Sequence, residues 1–368
     1  MTPWTAKPKL AFVVKYYRPM PRLSGILRFV IELVEALEKD YEIRVFTCRY
    51  SPGVPDYEKC LNHEIVRLPA PFPFRAGQAV REWRPDLTVF GSGFWRPWYL
   101  LPYWVLFRLG LLSAGGSVVL AQFTTMTGRL FGLLRLLLPR PAAVIALTEP
   151  LRGQWEKILP GRAAFIPAGM AVPPAEKKFP VPEIPPSAFR IGFFGHLQPH
   201  KGPDILLKIF KELNLPESDL LINGVGEMEE ELRRGARGWG NITIQGYVPV
   251  IDPWLHSCRL LVFPYRSSVS VLGYSRAALD GLAAGIPLVV TPSPALAPLV
   301  REGVNGYVCR DEDEIKEKIR TIAGDPALRK KLAEGARRSA EEFEITRIAG
   351  LWSEVLGNGE WGMEIGER

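Results

Sequence analysis

The chain has 368 residues, 47 % of them apolar and 23 % charged, which fits a folded globular protein and excludes a disordered or fibrous one. Its four cysteines are scattered without metal-ligand spacing, so they suggest neither a zinc site nor a disulfide framework, and a reducing, cytoplasmic compartment is expected. The net charge is +7, and residues 1–172 carry 22 of the 46 basic residues but only 12 of the 39 acidic ones, a balance that attracts phosphates.

The predicted elements alternate from the start. The run LAFVVK (10–15) reads as a buried parallel strand, and Lys7 and Lys9 with so short an apolar run do not make a signal peptide. Ser24-Gly25 then opens a helix, ILRFVIELVEALEKD, with apolar residues at helical spacing. Strands follow at 42–48, 87–93, 117–123, 142–148 and 163–169. Strands alternating with helices predict a parallel α/β sheet. Between Leu87 and Thr148 there are five arginines and no acidic residue. The uncharged run Pro97–Phe107 is too short to cross a membrane, which takes about 20 residues.

Pro173, Pro174, Pro180, Pro182, Pro185 and Pro186 mark a semi-rigid linker, residues 173–188. The pattern then restarts, with strands at 189–195, 220–226, 241–247, 259–265, 286–292 and 306–310. The stretch from Asp311 to about Leu356 reads as helical, and 357–368 as a frayed tail. The expected organisation is an N-terminal Rossmann-like domain (1–172), the linker, a C-terminal Rossmann-like domain (189–345), and a last helix (346–368) returning toward the first domain.

Three motifs in the second half carry chemistry. In GFFGHLQPHKGPDILLKIF (192–210) a strand ends at Gly195 and a helix begins near Gly202-Pro203, with Lys201 just before it. A helix N-terminus with an adjacent lysine suits a diphosphate. INGVGEMEEEL (222–232) has a strand and a tight turn at Gly224 and Gly226. In LVFPYRSSVSVLGYSRAALDGLAAGIPLVVTP (261–292), Ser275 is a plausible helix cap and Asp280 lies among small residues, where a buried carboxylate needs donors such as ribose hydroxyls.

In this order the motifs resemble the GT-B glycosyltransferases, and within them the retaining family 4. The segments GHLQPHKG (195–202), GVG (224–226), GYVP (246–249), LGYSRAALDGLAAGIPLV (272–289) and REGVNGYV (301–308) stand where that family has its C-terminal motifs, and SGILRFVIELVEALEKDYEIRVFT (24–47) looks like its first loop, helix and second strand. The resemblance implies two Rossmann-like domains facing each other across a cleft. The second would bind a nucleotide-diphosphate sugar and the first the acceptor, with no cofactor and no metal. It gives Lys201 the diphosphate and Asp280 the ribose, and the amides of Gly273, Tyr274 and Ser275 the sugar and phosphate. Ser24 and Gly25 would approach the diphosphate, Gly195 and Gly226 would belong to the donor-nucleotide site, and Val248 would meet the base. The family arginine beside the lysine is His196 here, its first Glu is Leu272, and its N-domain histidine is Gln122 or Phe123. His196, or a nearby arginine, Arg276 or Arg266, would then assist Lys201 in a front-face displacement that relies on position and charge.

The implied function is transfer, with retention, to a lipid-linked or cell-envelope glycan. The alternative is a catalytically silent GT-B protein that binds a nucleotide or a partner, to which Leu272 and His196 point. The acid-free stretch adds an expectation of its own. Trp95, Trp98, Trp104, Arg108, Arg129 and Arg135 are the pattern of a peripheral contact with an anionic membrane surface or a lipid acceptor. Core packing of the same aromatics is the other reading, and no nucleic-acid motif accompanies the charge.

Overall fold

The computed structural model describes residues 7–19, 24–51, 53–92, 104, 105, 107, 109, 117–122, 141–172, 189–248, 251–266 and 274–357. The chain divides into two units, one from Met1–Gly169 with Ile345–Arg368 and one from Met170–Ser270 with Tyr274–Glu344. The predicted linker lies outside the described residues. Among the described residues no helix is long and apolar enough to cross a membrane.

Among the described residues, the first unit is built on eight strands: β1 (Lys9–Val13), β2 (Glu42–Cys48), β3 (Tyr57–Cys60), β4 (His63–Leu68), β5 (Leu87–Ser92), β6 (Ser117–Gln122), β7 (Ala143–Ala146) and β8 (Ala163–Phe165). They lie in the order β3-β4-β2-β1-β5-β6-β7-β8. All neighbours are parallel except β3 and β4. Helix α1 (Gly25–Leu37) starts where Ser24 Oγ accepts the Leu27 amide at 3.2 Å. Its apolar face, Leu27, Val30, Leu33, Val34 and Leu37, is buried by the 3.6-residue period. The C-terminal helix Ile345–Gly357 packs on α1 and sets Trp352 into the same core, 6.3 Å from the Phe12 ring. On the other face lie α2 (Phe72–Trp83) and α3 (Glu149–Glu156).

The hairpin β3–β4 and helix α2 were not anticipated. Strand β4 reads HEIVRL, in which burial alternates while polar and apolar residues do not, so two of the inward positions are His63 and Arg67. Its two buried polar members, His63 and Arg67, find partners from other parts of the chain. The buried Arg67 donates to the carbonyls of Pro55 and Arg18 at 2.9 and 2.7 Å and pairs with Glu58. The buried His63 bonds Glu38 through Nδ1 and meets Tyr17 Oη at 3.2 Å through Nε2.

Trp104, expected at a membrane or acceptor surface, is a core residue instead. It is fully buried, its ring edge-on to Phe90 of β5 at 5.4 Å, with Phe107 4.8 Å from the same Phe90 ring. Stacking inside the core suits aromatic side chains as well as a lipid interface does, and here the sheet supplies the partners. Trp95, Trp98, Arg108, Arg129 and Arg135 lie outside the residues whose side chains are described.

Among the described residues, the second unit has six parallel strands: β9 (Phe189–Phe194), β10 (Ser218–Asn223), β11 (Ile242–Gln245), β12 (Leu260–Phe263), β13 (Leu288–Val290) and β14 (Gly306–Val308). Their order is β11-β10-β9-β12-β13-β14. Strands β9, β10 and β12 are buried on both faces, which is why their sequences are dominated by apolar residues, with Arg190 and Asp219 facing each other as a buried pair. The helices are α4 (Pro203–Leu213), α5 (Glu229–Gly235), α6 (Asp252–His256), α7 (Arg276–Ala283), α8 (Glu312–Gly324) and α9 (Pro326–Ala340). Asp311 and Asp325 cap α8 and α9 by accepting the amides of Glu314 and Leu328.

Candidate functional site

The order of the second sheet reverses between β9 and β12. In an open parallel sheet, ligands bind outside the carboxyl ends of the strands at such a switch point. The loop that leaves β9 supplies Gly195, His196 and Lys201, and Tyr274 and Ser275 lie between β12 and α7.

Strand β9 ends at Gly195, with φ +148°. This is backbone space that L side chains rarely enter. Among the described residues, the one atom outside the adjoining chain that a Cβ there would meet within 4 Å is Lys201 Nζ, at 4.0 Å. The backbone therefore opens onto an ammonium. Lys201 closes the short 3-10 turn Pro199–Lys201. Its Nζ donates to Tyr265 Oη at 3.3 Å and stands 5.1 Å from the centre of that ring.

The two glycines after β10 serve packing. A Cβ on Gly224 would fall 1.8 Å from the Gly195 carbonyl oxygen, and one on Gly226 would fall 2.3 Å from that of Leu197. These loops are held together by Gly195 N to Asn223 O at 3.0 Å and Leu197 N to Val225 O at 2.9 Å. Gly226, expected at the donor-nucleotide site, thus allows one loop to rest on another. Val248 lies in the segment after β11, which is tied to this cluster by Asn223 Nδ2 donating to the Gly246 carbonyl at 3.0 Å.

Three expectations change. The N-terminus of α4 is not an open anion site. The Asp204 carboxylate takes the amides of Asp204 and Ile205 and pairs with Arg266. Burial works to raise the pKa of Asp204, but the Arg266 hydrogen bond and charge, with those amides, hold it below the usual carboxylate range. Ser275 sits at the start of α7, yet its hydroxyl makes no cap and lies 3.5 Å from Tyr265 Oη. Its amide donates to the Ala295 carbonyl at 3.0 Å, so it is not offered to a phosphate. Arg276 turns to Asp280, one helical turn on, with Nε 2.8 Å from Oδ1 and both side chains about nine-tenths buried. The carboxylate finds a donor on its own helix, and the arginine is not a loose cation beside Lys201. The spacing of four between opposite charges was the signal for this pair.

Tyr274 packs its ring against Phe343 at 5.9 Å. Leu272 and Gly273 lie outside the described residues. Ser24 and Gly25 belong to the first unit, where the Ser24 hydroxyl caps α1. Sequence reasoning missed Tyr265 and gave Arg266 another role. Their position directly after β12, the strand across the switch point from β9, was the available signal.

His196 and His200 both precede Lys201 in the loop, His200 immediately. Partial desolvation comes first, then the Lys201 ammonium and His200, in holding the His196 imidazole below its ordinary value of 6.5. Desolvation and Lys201 do the same for His200, against the opposing Glu227. A depressed folded-state value means that the unfolded chain takes up more protons below 6.5. These two groups therefore cost stability as pH falls from about 6.5 toward their folded values. The ligand-free protein is expected to lose melting temperature between about pH 7 and 5, and the double variant His196→Gln/His200→Gln to lose less. Equal slopes for the two proteins would refute this assignment.

Residues 188–325 match the family model described as glycosyl transferases group 1. An uncharacterized glycosyltransferase of Haemophilus influenzae is 26 % identical over 171 residues, 44 % of this chain and 47 % of its own length. The chain thus matches about half the length of that relative. A D-inositol 3-phosphate glycosyltransferase of Streptomyces bingchenggensis is 23 % identical over 389 residues, covering 90 % of this chain and 84 % of its own. The fold is that of the GT-B glycosyltransferases. The Anabaena protein HepE in complex with UDP superposes with a TM-score of 0.72 at 15 % identity, over 95 % of this chain and 99 % of that one. WaaG, a glycosyltransferase involved in lipopolysaccharide biosynthesis, superposes at 0.63 and 14 % identity, over 95 % and 100 %.

Proposed function

From a chain that carries a group 1 glycosyl transferase domain over residues 188–325, we propose an enzyme that takes its sugar from a nucleoside diphosphate, with uridine as the favoured nucleoside. The observation that carries this reading is Gly195, open at the switch point and facing the Lys201 ammonium. The UDP complex of HepE, on the same fold, favours uridine. Lys201 binds the diphosphate and stabilises the charge that develops as it leaves, which lets the acceptor attack from the same face with retention. Asp280, steadied by Arg276, is proposed for the ribose, and Val248 for the base. No metal is required in this scheme, and undiminished transfer in the presence of a chelator tests that point.

The acceptor proposed is a lipid-linked or envelope glycan, met at an anionic membrane surface. The role of WaaG in lipopolysaccharide biosynthesis and the basic, acid-free stretch 87–148 support it. A phosphorylated polyol is the second reading, favoured by the Streptomyces relative that matches 90 % of the chain. Transfer of labelled sugar to inositol phosphate or to a lipid-linked glycan separates the two, and salt-sensitive co-sedimentation with anionic vesicles checks the surface.

The donor itself is tested by thermal shift with a panel of nucleoside diphosphates and their sugars. A ligand at about 100 times its Kd is expected to stabilise the protein by ~2.7 kcal/mol. No shift with any member overturns the donor reading.

A further inference from the structure

We infer that Arg266 is a positioning residue for Lys201, an inference that rests on the donor reading above. Lys201 stands on a three-residue turn that has no side-chain cap of its own. Within the turn, the Lys201 amide donates to the Gln198 carbonyl at 2.9 Å and the Gly202 amide to the Pro199 carbonyl at 3.1 Å. Gly202, with φ +64°, then hands the chain to α4. Left to these bonds, so short a turn frays easily.

Arg266 reaches it from the other side of the switch point and holds it at three places. Its amide donates to the His200 carbonyl at 2.8 Å. Its Nη1 donates to the Pro199 carbonyl at 2.7 Å. The same guanidinium forks onto the Asp204 carboxylate, with Nη1 to Oδ1 at 2.7 Å and Nη2 to Oδ2. Residues on both sides of Lys201 are thus tied to one side chain, while the neighbouring Tyr265 holds the amine. The close approach of Gly202 to the Pro264 carbonyl, where a Cβ would fall 2.1 Å away, brings the two loops into this register.

Two features separate this from a structural or a direct role. The Arg266 and Asp204 side chains are 42 % and 27 % exposed, and an ion pair so open to water adds little to global stability. The guanidinium is engaged by Asp204 and Pro199, so its charge is not the one offered to the diphosphate. Arg266 acts through the place it gives Lys201, and a misplaced lysine loses transition-state charge stabilisation that depends on geometry.

The test is a double-mutant cycle on the full chain, with UDP and uridine as probes and calorimetry as the readout. Arg266→Ala is expected to weaken UDP about tenfold, leave uridine unchanged and shift the melting temperature by no more than ~2–4 °C. On a Lys201→Ala background, Arg266→Ala is expected to cause no further loss. A loss that persists without the lysine assigns Arg266 to the phosphate directly and overturns the proposal, as does an unchanged UDP affinity in Arg266→Ala. Hydrogen exchange supplies an arm without ligand. The amides of Lys201 and Gly202 are expected to exchange faster in Arg266→Ala while those of β9 do not. Unchanged exchange at those two amides overturns the clamp. If the wild type binds no nucleoside diphosphate at all, the donor reading falls, and the exchange arm still decides whether Arg266 holds the turn.

Discussion

Asp219→Ala is expected to destabilise the second unit by about 3–5 kcal/mol, the cost of leaving a buried charge without its partner. Asp219 of β10 lies in register with Arg190 of β9. The Arg190 Nε stands 3.0 and 2.8 Å from the two carboxylate oxygens, and Nη2 stands 2.6 Å from Oδ2. The side chains are 5 % and 13 % exposed, so water cannot replace what is removed. Urea unfolding of Asp219→Ala measures the loss. Replacing both residues together with Leu and Met is expected to cost far less, because a buried pair exchanged for apolar side chains leaves no orphan charge. The pair sits toward the amino ends of its strands, away from Gly195 and Lys201, so UDP affinity measured below the unfolding transition is expected to stay at the wild-type value. A loss of stability under about 1 kcal/mol would show that the pair is not desolvated as described.

Lys201→Ala is expected to weaken nucleoside diphosphate binding by about 1.5–3 kcal/mol, the worth of a hydrogen bond to a charged group. That is about ten- to 150-fold in Kd. Uridine, which lacks the phosphates, is expected to bind as before. Titration of UDP and uridine into both proteins makes the comparison. Equal losses for the two ligands would assign the lysine to the support of the loop, through Tyr265, and not to the phosphate. The effect is expected to exceed that of Arg266→Ala, since one change removes the charge and the other only loosens its seat.

Much of the second unit was legible before its coordinates. Its central strands are covered on both faces, so FRIGFF and LLVF leave no doubt about the core. Gly195, Gly202 and Lys201 were found together because a strand, a glycine loop and a helix start are marked by residue types that act locally. The first unit was less readable. The strand His63–Leu68 carries two buried polar residues, His63 and Arg67, whose partners Glu38, Tyr17, Pro55, Arg18 and Glu58 come from elsewhere in the chain. Periodicity does not reveal a partner that lies 25 or 46 residues away.

The sequence by itself determined the alternation of strands and helices, the restart of the pattern after the prolines, and the place of the ammonium beside a glycine turn. These follow from backbone preferences and from the solvent exposure of each element, which neighbouring residues record. Tertiary structure alone decided which polar groups are already engaged. Asp204 closes the end of its own helix, Ser275 gives its amide to Ala295, and Arg276 turns to Asp280. Tertiary structure also put Trp104 in the core and Arg266 across the switch point from the turn that it holds. The physical reason is that hydrogen bonds and ion pairs act over a few ångströms. A residue's chemistry is therefore set by the groups that folding brings next to it, and sequence position does not reveal which those are.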